Sequence, residues 1–502
     1  MTPVPISRRR ALILGGIGAV AATAVAIDSV ASHAGSGTER WSPADTGNQL
    51  NQPAMVDSKD GRLELELIAA AGVRLAGRDT HALGFNDSSP GPTLRVRPGD
   101  ELAVRLTNRL DKPTNLHTHG LRVSPLGNSD NPFLRVDPGT SFDYLIQIPP
   151  DHPAGTFWYH PHHHGMVADQ IFGGLVGALL IDPSPGQAPA LDVTADHVLM
   201  VTDITLADDG TVAAPSAMDR DRGREGEVVL INGQHCPTIP ADPGGMQRWR
   251  FINGCVSRVL AIRLQGHQLF QIARDGTYLP APAPKNEVLL GPGNRVDVLV
   301  RPTAPGRYQL SARAYQRGSM GSMTITSGFA GLATMDVSQI PVTQPLTPLP
   351  DALPVETPTM GAVTAQRQTI FAMTTGADAG AMGGGMDGAN DAGATVFTID
   401  GRTFDSARDD QTVALGAIEE WTVINTTPMA HPFHLHVWPF TVLASSDGTS
   451  PIGTPQDVVL VPPQGWVRLR IPFTTFPGRS VYHCHVLDHE DLGMMATVNV
   501  HP

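Results

Sequence analysis

Residues 416–425 read GAIEEWTVIN, a strand-like run that opens on a Gly and closes on an Asn nine positions later. The same frame occurs twice upstream, as GDELAVRLTN over 99–108 and GGMQRWRFIN over 244–253. Nine residues past the Asn stand His117, Ile262 and His434, and eleven past it stand His119, Leu264 and His436. A second repeated segment begins at Gly139, Gly293 and Gly465, runs through apolar alternation and reaches Gly155, Gly306 and Gly478. Five residues further on lie His160, Ser311 and His483. The chain therefore reads as three related units, in line with the usual ~150 residues per domain. Short Val/Ile/Leu/Thr runs broken by 44 Pro and 52 Gly, with no long amphipathic helix between repeats, predict an all-β protein built of sandwiches. A chain of 502 residues can bury several such cores.

The outer units carry histidines where the middle unit is blank. His117-Thr118-His119, His160-Pro161-His162, His434-Leu435-His436 and His483-Cys484-His485 are H-x-H pairs. On a strand both members of such a pair share a face, and the residue between them points the other way. The pairs of units one and three are expected to meet as pseudo-symmetric partners around a shared metal cluster, with the middle unit spacing and buttressing them. Cys484, facing away from His483 and His485, joins His431, His489 and Met494 in a His2CysMet set. Thiolate, imidazole and a weak axial thioether are the donors of a blue-copper electron-transfer site. Two centres back to back on one strand predict electron entry at the cysteine and exit through its flanking histidines. In the first unit the positions of His431, Cys484 and His489 are held by Thr114, Pro161 and Met166, so no second cysteine site is expected. His163 and His164 fit no ligand pattern and are read as loop residues.

Blander classes fit less well. A structural zinc site takes four ligands with short cysteine spacings, whereas these clusters hold twelve candidate ligands and a single cysteine. The net charge of −13, with no basic patch beyond the amino terminus, gives no support to nucleic-acid binding.

The motifs HTHG, HPHHHG, HPFHLH and HCHVLDHEDLGM resemble those of the multicopper oxidase family, and the likeness runs from about Leu63 to Val500. The tail HEDLGMM is most similar to bacterial cuprous oxidases and related laccases. The resemblance implies three cupredoxin-like Greek-key β-sandwich domains and about four copper ions per chain. It gives type 1 copper to His431, Cys484, His489 and Met494, type 2 copper to His117 and His434, and the type 3 pair to His119, His160, His162, His436, His483 and His485. It implies a proton-donor role for Glu490 and an acidic role near type 2 copper for Asp130, against which stands a solvated surface carboxylate in each case. Thr118, where relatives carry an aromatic, and Pro161, where they carry a small residue, depart from the pattern at non-ligand positions. The implied activity is one-electron oxidation of phenolic or aromatic donors, as in laccases, coupled to reduction of O2 to water. The alternatives are a periplasmic cuprous oxidase serving copper tolerance and, in another class, a non-enzymatic copper-binding scaffold. A copper nitrite reductase is disfavoured, since its subunits have two domains and lack the eight-histidine set.

Ser7-Arg8-Arg9-Arg10 followed by an apolar run to Ile27 resembles a twin-arginine export signal, here 1–34, and implies the twin-arginine export machinery as a partner. The run is short for a membrane span, so no stable span is expected after processing, and the expected destination is the periplasm, the cell exterior or the cell envelope. A linker over 35–60, domains over 61–185, 190–340 and 391–502, and a Gly/Met-containing linker loop over 341–390 complete the organisation. Met382 and Met386 in that loop, with Met429, are candidates to hold a substrate Cu(I), since thioethers prefer that ion. Thr427 stands where relatives that oxidise Cu(I) carry an acidic partner. Cys236 and Cys255 either pair in an oxidising compartment or, the preferred reading, Cys255 is a small buried residue.

Overall fold

The computed structural model describes residues 41–183, 191–340, 346–354, 361–374 and 395–502. The segment read as an export signal, and Met382 and Met386, lie outside the described residues.

Each Gly-to-Asn run is a strand: Glu101–Asn108, Gln247–Asn253 and Ala417–Asn425. Each pairs in parallel with the strand that opens its unit, Arg62–Ala71, Ala195–Ile204 and Ala365–Thr374. On its other side it pairs antiparallel with Ser141–Gln147, Arg295–Val300 and Trp466–Phe473. A second, five-stranded sheet in each unit carries the ligand-position strands. His117–His119 lies against Gly155–His160, Leu260–Leu264 against Gly306–Arg313, and His431–Leu435 against Gly478–Cys484, all antiparallel. The inward side chains of the paired sheets make three cores, centred on Leu102, Val104 and Phe157, on Trp249, Phe251 and Ile262, and on Trp421, Val423 and Phe433. Each fully buried side chain of this kind contributes roughly 1.5–3 kcal/mol relative to exposure. The fold is thus the expected all-β triplet of sandwiches.

The repeated asparagine has a structural reason. Asn108, Asn253 and Asn425 are almost completely buried, and each accepts a bond at Oδ1 from the backbone N–H two residues on, that of Leu110, Cys255 or Thr427. Their Nδ2 groups donate to carbonyls of the next loop and of the neighbouring connection: Lys112 and Val136, Arg258 and Leu290, Met429 and Val461. A buried carbonyl must find a donor, and one amide here satisfies two. The chain leaving each run is thereby pinned before it enters the strand at the ligand positions.

Two boundaries differ from expectation. The segment expected as an amino-terminal linker is built into the fold from Trp41: Leu50 packs in the middle core, and Met55–Asp57 pairs with Thr93–Val96. The third unit opens at Ala365–Thr374, inside the expected linker loop, because the polar-apolar alternation around Thr369 and Phe371 buries one face of that strand. Among the described residues the helices are short: α1, Val167–Gly173; α2, Ala217–Arg222; α3, Leu487–Asp491. Helix α1 is capped from another domain, since Asp491 accepts the N–H groups of Gly165 and Ala168 at 2.7 and 2.8 Å. The three cysteines are free thiols, and Cys255 is buried.

Asn253→Ala, at a position that is itself no ligand candidate, leaves two carbonyls and one N–H without partners. At about 1–3 kcal/mol per stranded group, partly relieved by water, the loss should be about 2–4 kcal/mol. Urea unfolding of the metal-free protein measures it, and a loss below about 1 kcal/mol would show that the amide is not a keystone.

Candidate metal centres

Strand register delivers the histidines in pairs. His117 lies opposite His160 in the first domain, and His434 opposite His483 in the third. Across the interface His117 stacks on His436 with ring centroids 3.9 Å apart, and His119 stacks on His434 at the same separation. Since His117 is equivalent to His434 and His119 to His436, these stacks are exchanged by a pseudo-two-fold axis, as in an isologous dimer. The donor atoms gather into sets whose members lie within 4.8 Å of one another: His119, His160 and His485; His162, His436 and His483; His117, His434 and His436. His163 and His164 join none of these. The latter packs edge-on against Phe404.

Hydrogen bonds on the outer side fix which ring nitrogen points inward. Nδ1 of His117 faces Asp130 at 2.9 Å, that of His160 the Pro161 carbonyl at 2.8 Å, that of His434 the Asp457 carbonyl at 2.8 Å and that of His483 the Cys484 carbonyl at 3.0 Å. The Nε2 atoms of His117, His119, His160, His434 and His485 are buried with no hydrogen-bond partner. Nε2 of His483 stands 3.2 Å from that of His162 and 3.3 Å from that of His436. Buried lone pairs aimed at one another are a donor set without its acceptor, and this fits copper ions.

Cys484 faces the opposite way into the third core. His431 Nδ1 lies 3.3 Å from its Sγ, and His489 Nδ1 lies 3.2 Å from His431 Nδ1 and 4.0 Å from the sulfur. Met494 is fully buried in the same core, and its backbone bonds to Cys484 and His489 place it beside them. His431 Nε2 meets the Thr427 hydroxyl at 2.7 Å. His489 Nε2 donates to the Asp221 carbonyl of α2 at 3.0 Å, and its ring stacks on Phe397. In the first domain the equivalent place is filled by Thr114 bonded to Gln170 of α1.

Both expected carboxylates are in place and buried. Asp130 also accepts the Thr118 N–H, and burial raises its carboxyl to about 7 against that bond. It touches a ligand-position imidazole from outside, so it positions His117. Glu490 is fully buried, its oxygens 3.1 Å from His483 Nδ1 and 3.6 Å from His162 Nε2. Met429, the candidate Cu(I) residue, is buried in the third core and presents no thioether to solvent. Sequence reasoning missed Asp457 and Arg295, a buried ion pair beside His119 and His434. It also missed the clasp in which Arg224 of the middle domain grips Asp488 and Asp169. Of these only Asp488 lies in a motif, HCHVLDHEDLGM, where no ligand role marks it, and no spacing marks the others.

Three models of multicopper oxidase domains match residues 68–186, 195–333 and 363–502. The chain is 28% identical to the multicopper oxidase mco of Staphylococcus aureus, over 90% of this chain and 92% of that protein. It is 26% identical to a laccase of Bacillus subtilis, over 84% and 90%. A solved structure described as a multicopper oxidase from Campylobacter jejuni, a metallo-oxidase, is 30% identical, covers 91% of this chain and 95% of its own, and superposes with a TM-score of 0.78. Three linked cupredoxin-like sandwiches with this donor set define a copper enzyme, an oxidoreductase that uses O2 as acceptor. The chain belongs to the multicopper oxidase family.

Burial and neighbouring imidazoles hold His117, His119, His434 and His436 well below the ordinary histidine value, and burial brings His431 and His160 to about 3 and His162 to about 4. They are therefore neutral, as ligands must be. An unfolded chain takes these protons near pH ~6.5, so below that pH the unfolded state binds more protons than the folded one. Stability is fully present above ~6.5 and is lost as pH falls, by up to ~1.4 kcal/mol per pH unit for each such group. The metal-free protein should lose several kcal/mol between pH 7 and 5, read from urea midpoints. A flat profile would mean that these rings are not buried together in the metal-free state.

Proposed function

We propose that this multicopper oxidase is an exported, laccase-like enzyme that takes single electrons from phenolic or aromatic donors and reduces O2 to water. The observation that carries the reading is the continuous segment, a strand ending at Cys484 and the bend after it, along which His483 and His485 enter the histidine cluster while Cys484 enters the His2CysMet set. In this reading His431, Cys484, His489 and Met494 hold type 1 copper, His117 and His434 type 2, and the other six histidines the type 3 pair, about four ions in all. Copper, when bound, supplies the one-electron redox chemistry and the reduction of O2. The chain's part is to align the donors, exclude water and manage protons. Cys484 links the two sets through its own backbone. Glu490, beside His483 and His162, is placed to hand protons to the reduction site. Export through the twin-arginine route rests on the arginines ahead of the apolar amino-terminal run, and suits a protein that folds around its cofactor first.

The phenol reading is favoured over Cu(I) by Thr427 in place of an acid and by the burial of Met429. A second reading, cuprous oxidation, is supported by the half-exposed Met218 on α2, the helix whose Asp221 carbonyl meets His489, and by the likeness to a structure described as a metallo-oxidase. Copper content with an optical spectrum, followed by O2 uptake with a phenol and with Cu(I), separates these readings. A protein that takes up a single copper, or zinc alone, overturns both.

Two substitutions divide the machinery. Cys484→Ser should abolish the blue absorption and nearly all turnover while about three coppers stay bound; normal turnover would place electron entry elsewhere. Glu490→Gln should slow reoxidation of the fully reduced enzyme by O2 about 100-fold while oxidation of the donor changes little. Wild-type reoxidation in single-turnover mixing would return Glu490 to a structural role.

A further inference from the structure

The middle domain supplies no ligand at the repeated positions, yet one of its turns reaches the histidine cluster. Gly293 has φ of +85°, and a Cβ there would stand 2.9 Å from the His485 ring and 3.1 Å from His119 Nε2. The turn thus packs directly on imidazoles of both outer domains, and Arg295 follows it at the start of a strand. Arg295 is fully buried. Its two terminal nitrogens each donate at 2.6 Å to a different carboxylate oxygen of Asp457, in the third domain. Its Nε donates to the Thr156 carbonyl of the first domain at 3.2 Å, and one terminal nitrogen lies 3.3 Å from His119 Nδ1. One side chain therefore touches all three domains. Asp457 Oδ1 stands 3.6 Å from Nδ1 of His119 and 3.6 Å from Nδ1 of His434, and its backbone carbonyl accepts from His434. Gly120, which closes the HTHG motif, has φ of +87°, and a Cβ there would strike both Arg295 and Asp457. The first domain is shaped to admit the pair.

A guanidinium has donors only. When His119 turns Nε2 inward and keeps its hydrogen on Nδ1, Arg295 cannot accept it, whereas the Asp457 carboxylate can. The orientation of the ring then follows the carboxylate, and the carboxylate follows the arginine fork. A buried ion pair is weak evidence of stabilisation, because desolvation offsets most of the attraction, so its place beside two ligand-position rings calls for another role. We propose that Arg295 is a positioning residue of the histidine cluster: by gripping Asp457 it fixes that carboxylate between His119 and His434 and sets how first- and third-domain imidazoles are presented to copper. This rests on reading the eight histidines as a copper site.

The test uses the full-length protein loaded with copper. Arg295→Lys keeps the charge and loses the two parallel bonds, while Asp457→Asn keeps the shape and loses the charge. Each should change the type 2 signal in electron paramagnetic resonance and weaken the most loosely held copper roughly 10–100-fold in chelator competition, the range for partners of ligand imidazoles. Blue absorption per chain should stay as in wild type. The double variant should be no worse than the worse single, because both changes break one linkage. Wild-type signal and affinity in a folded Arg295→Lys protein, or additive losses in the double variant, would overturn the assignment. If Arg295→Lys does not fold, Asp457→Asn decides alone, and wild-type affinity there overturns it. Wild-type protein without a type 2 signal would instead remove the copper reading, and the proposal with it.

Discussion

Eight imidazoles turned toward one another in a buried interface are the constraint on which the molecule depends. Buried polar atoms without partners cost about 1–3 kcal/mol each, and at least five Nε2 atoms are in that state. No hydrophobic side chain relieves them, because the stacked pairs His117 with His436 and His119 with His434 hold the rings face to face. The interface between first and third domains therefore carries an electrostatic deficit that a cation cancels. Metal affinity and domain docking are two readings of one energy term, since whatever binds the folded arrangement alone stabilises it.

That arrangement is maintained from outside. Asp130, the carbonyls of Pro161 and Cys484, and Asp457 each hold an Nδ1, so ring rotation is restrained before any metal enters. The middle domain takes part through Gly293 and Arg295, and at the cysteine site through the Asp221 carbonyl on His489. A unit without ligands thus touches both donor sets, which makes the expected spacing and buttressing specific to named side chains.

What the sequence showed depended on period and spacing. The Gly-to-Asn frame located three strands and, with the second repeated segment and H-x-H alternation, marked the eight clustered histidines, because strand geometry converts spacing directly into facing, whereas His489 and Met494 were marked by donor chemistry instead. Cys484 could be separated from His483 and His485 on that rule alone. The strand over Ala365–Thr374 was absorbed into a linker because the Gly-rich stretch downstream dominated the composition of that region. Asp457 and Arg295 were invisible for a different reason: their partnership joins positions far apart in the chain through side-chain contacts between domains, which leave no period. Glu490 was legible only because it adjoins a ligand.

Helix α3 shows what such contacts do to the notion of a domain. Successive residues on a helix point about 100° apart, and here four in a row each meet a different body. Asp488 is held by Arg224 of the middle domain, His489 faces the cysteine site, Glu490 faces the histidine cluster, and Asp491 caps α1 of the first domain. No side of the helix is spare. The three repeated units thus meet at the same five residues, so moving any one of them away from the others breaks contacts of this helix. The boundaries visible in the chain mark its repeats, while the contacts of this one helix run across all of them.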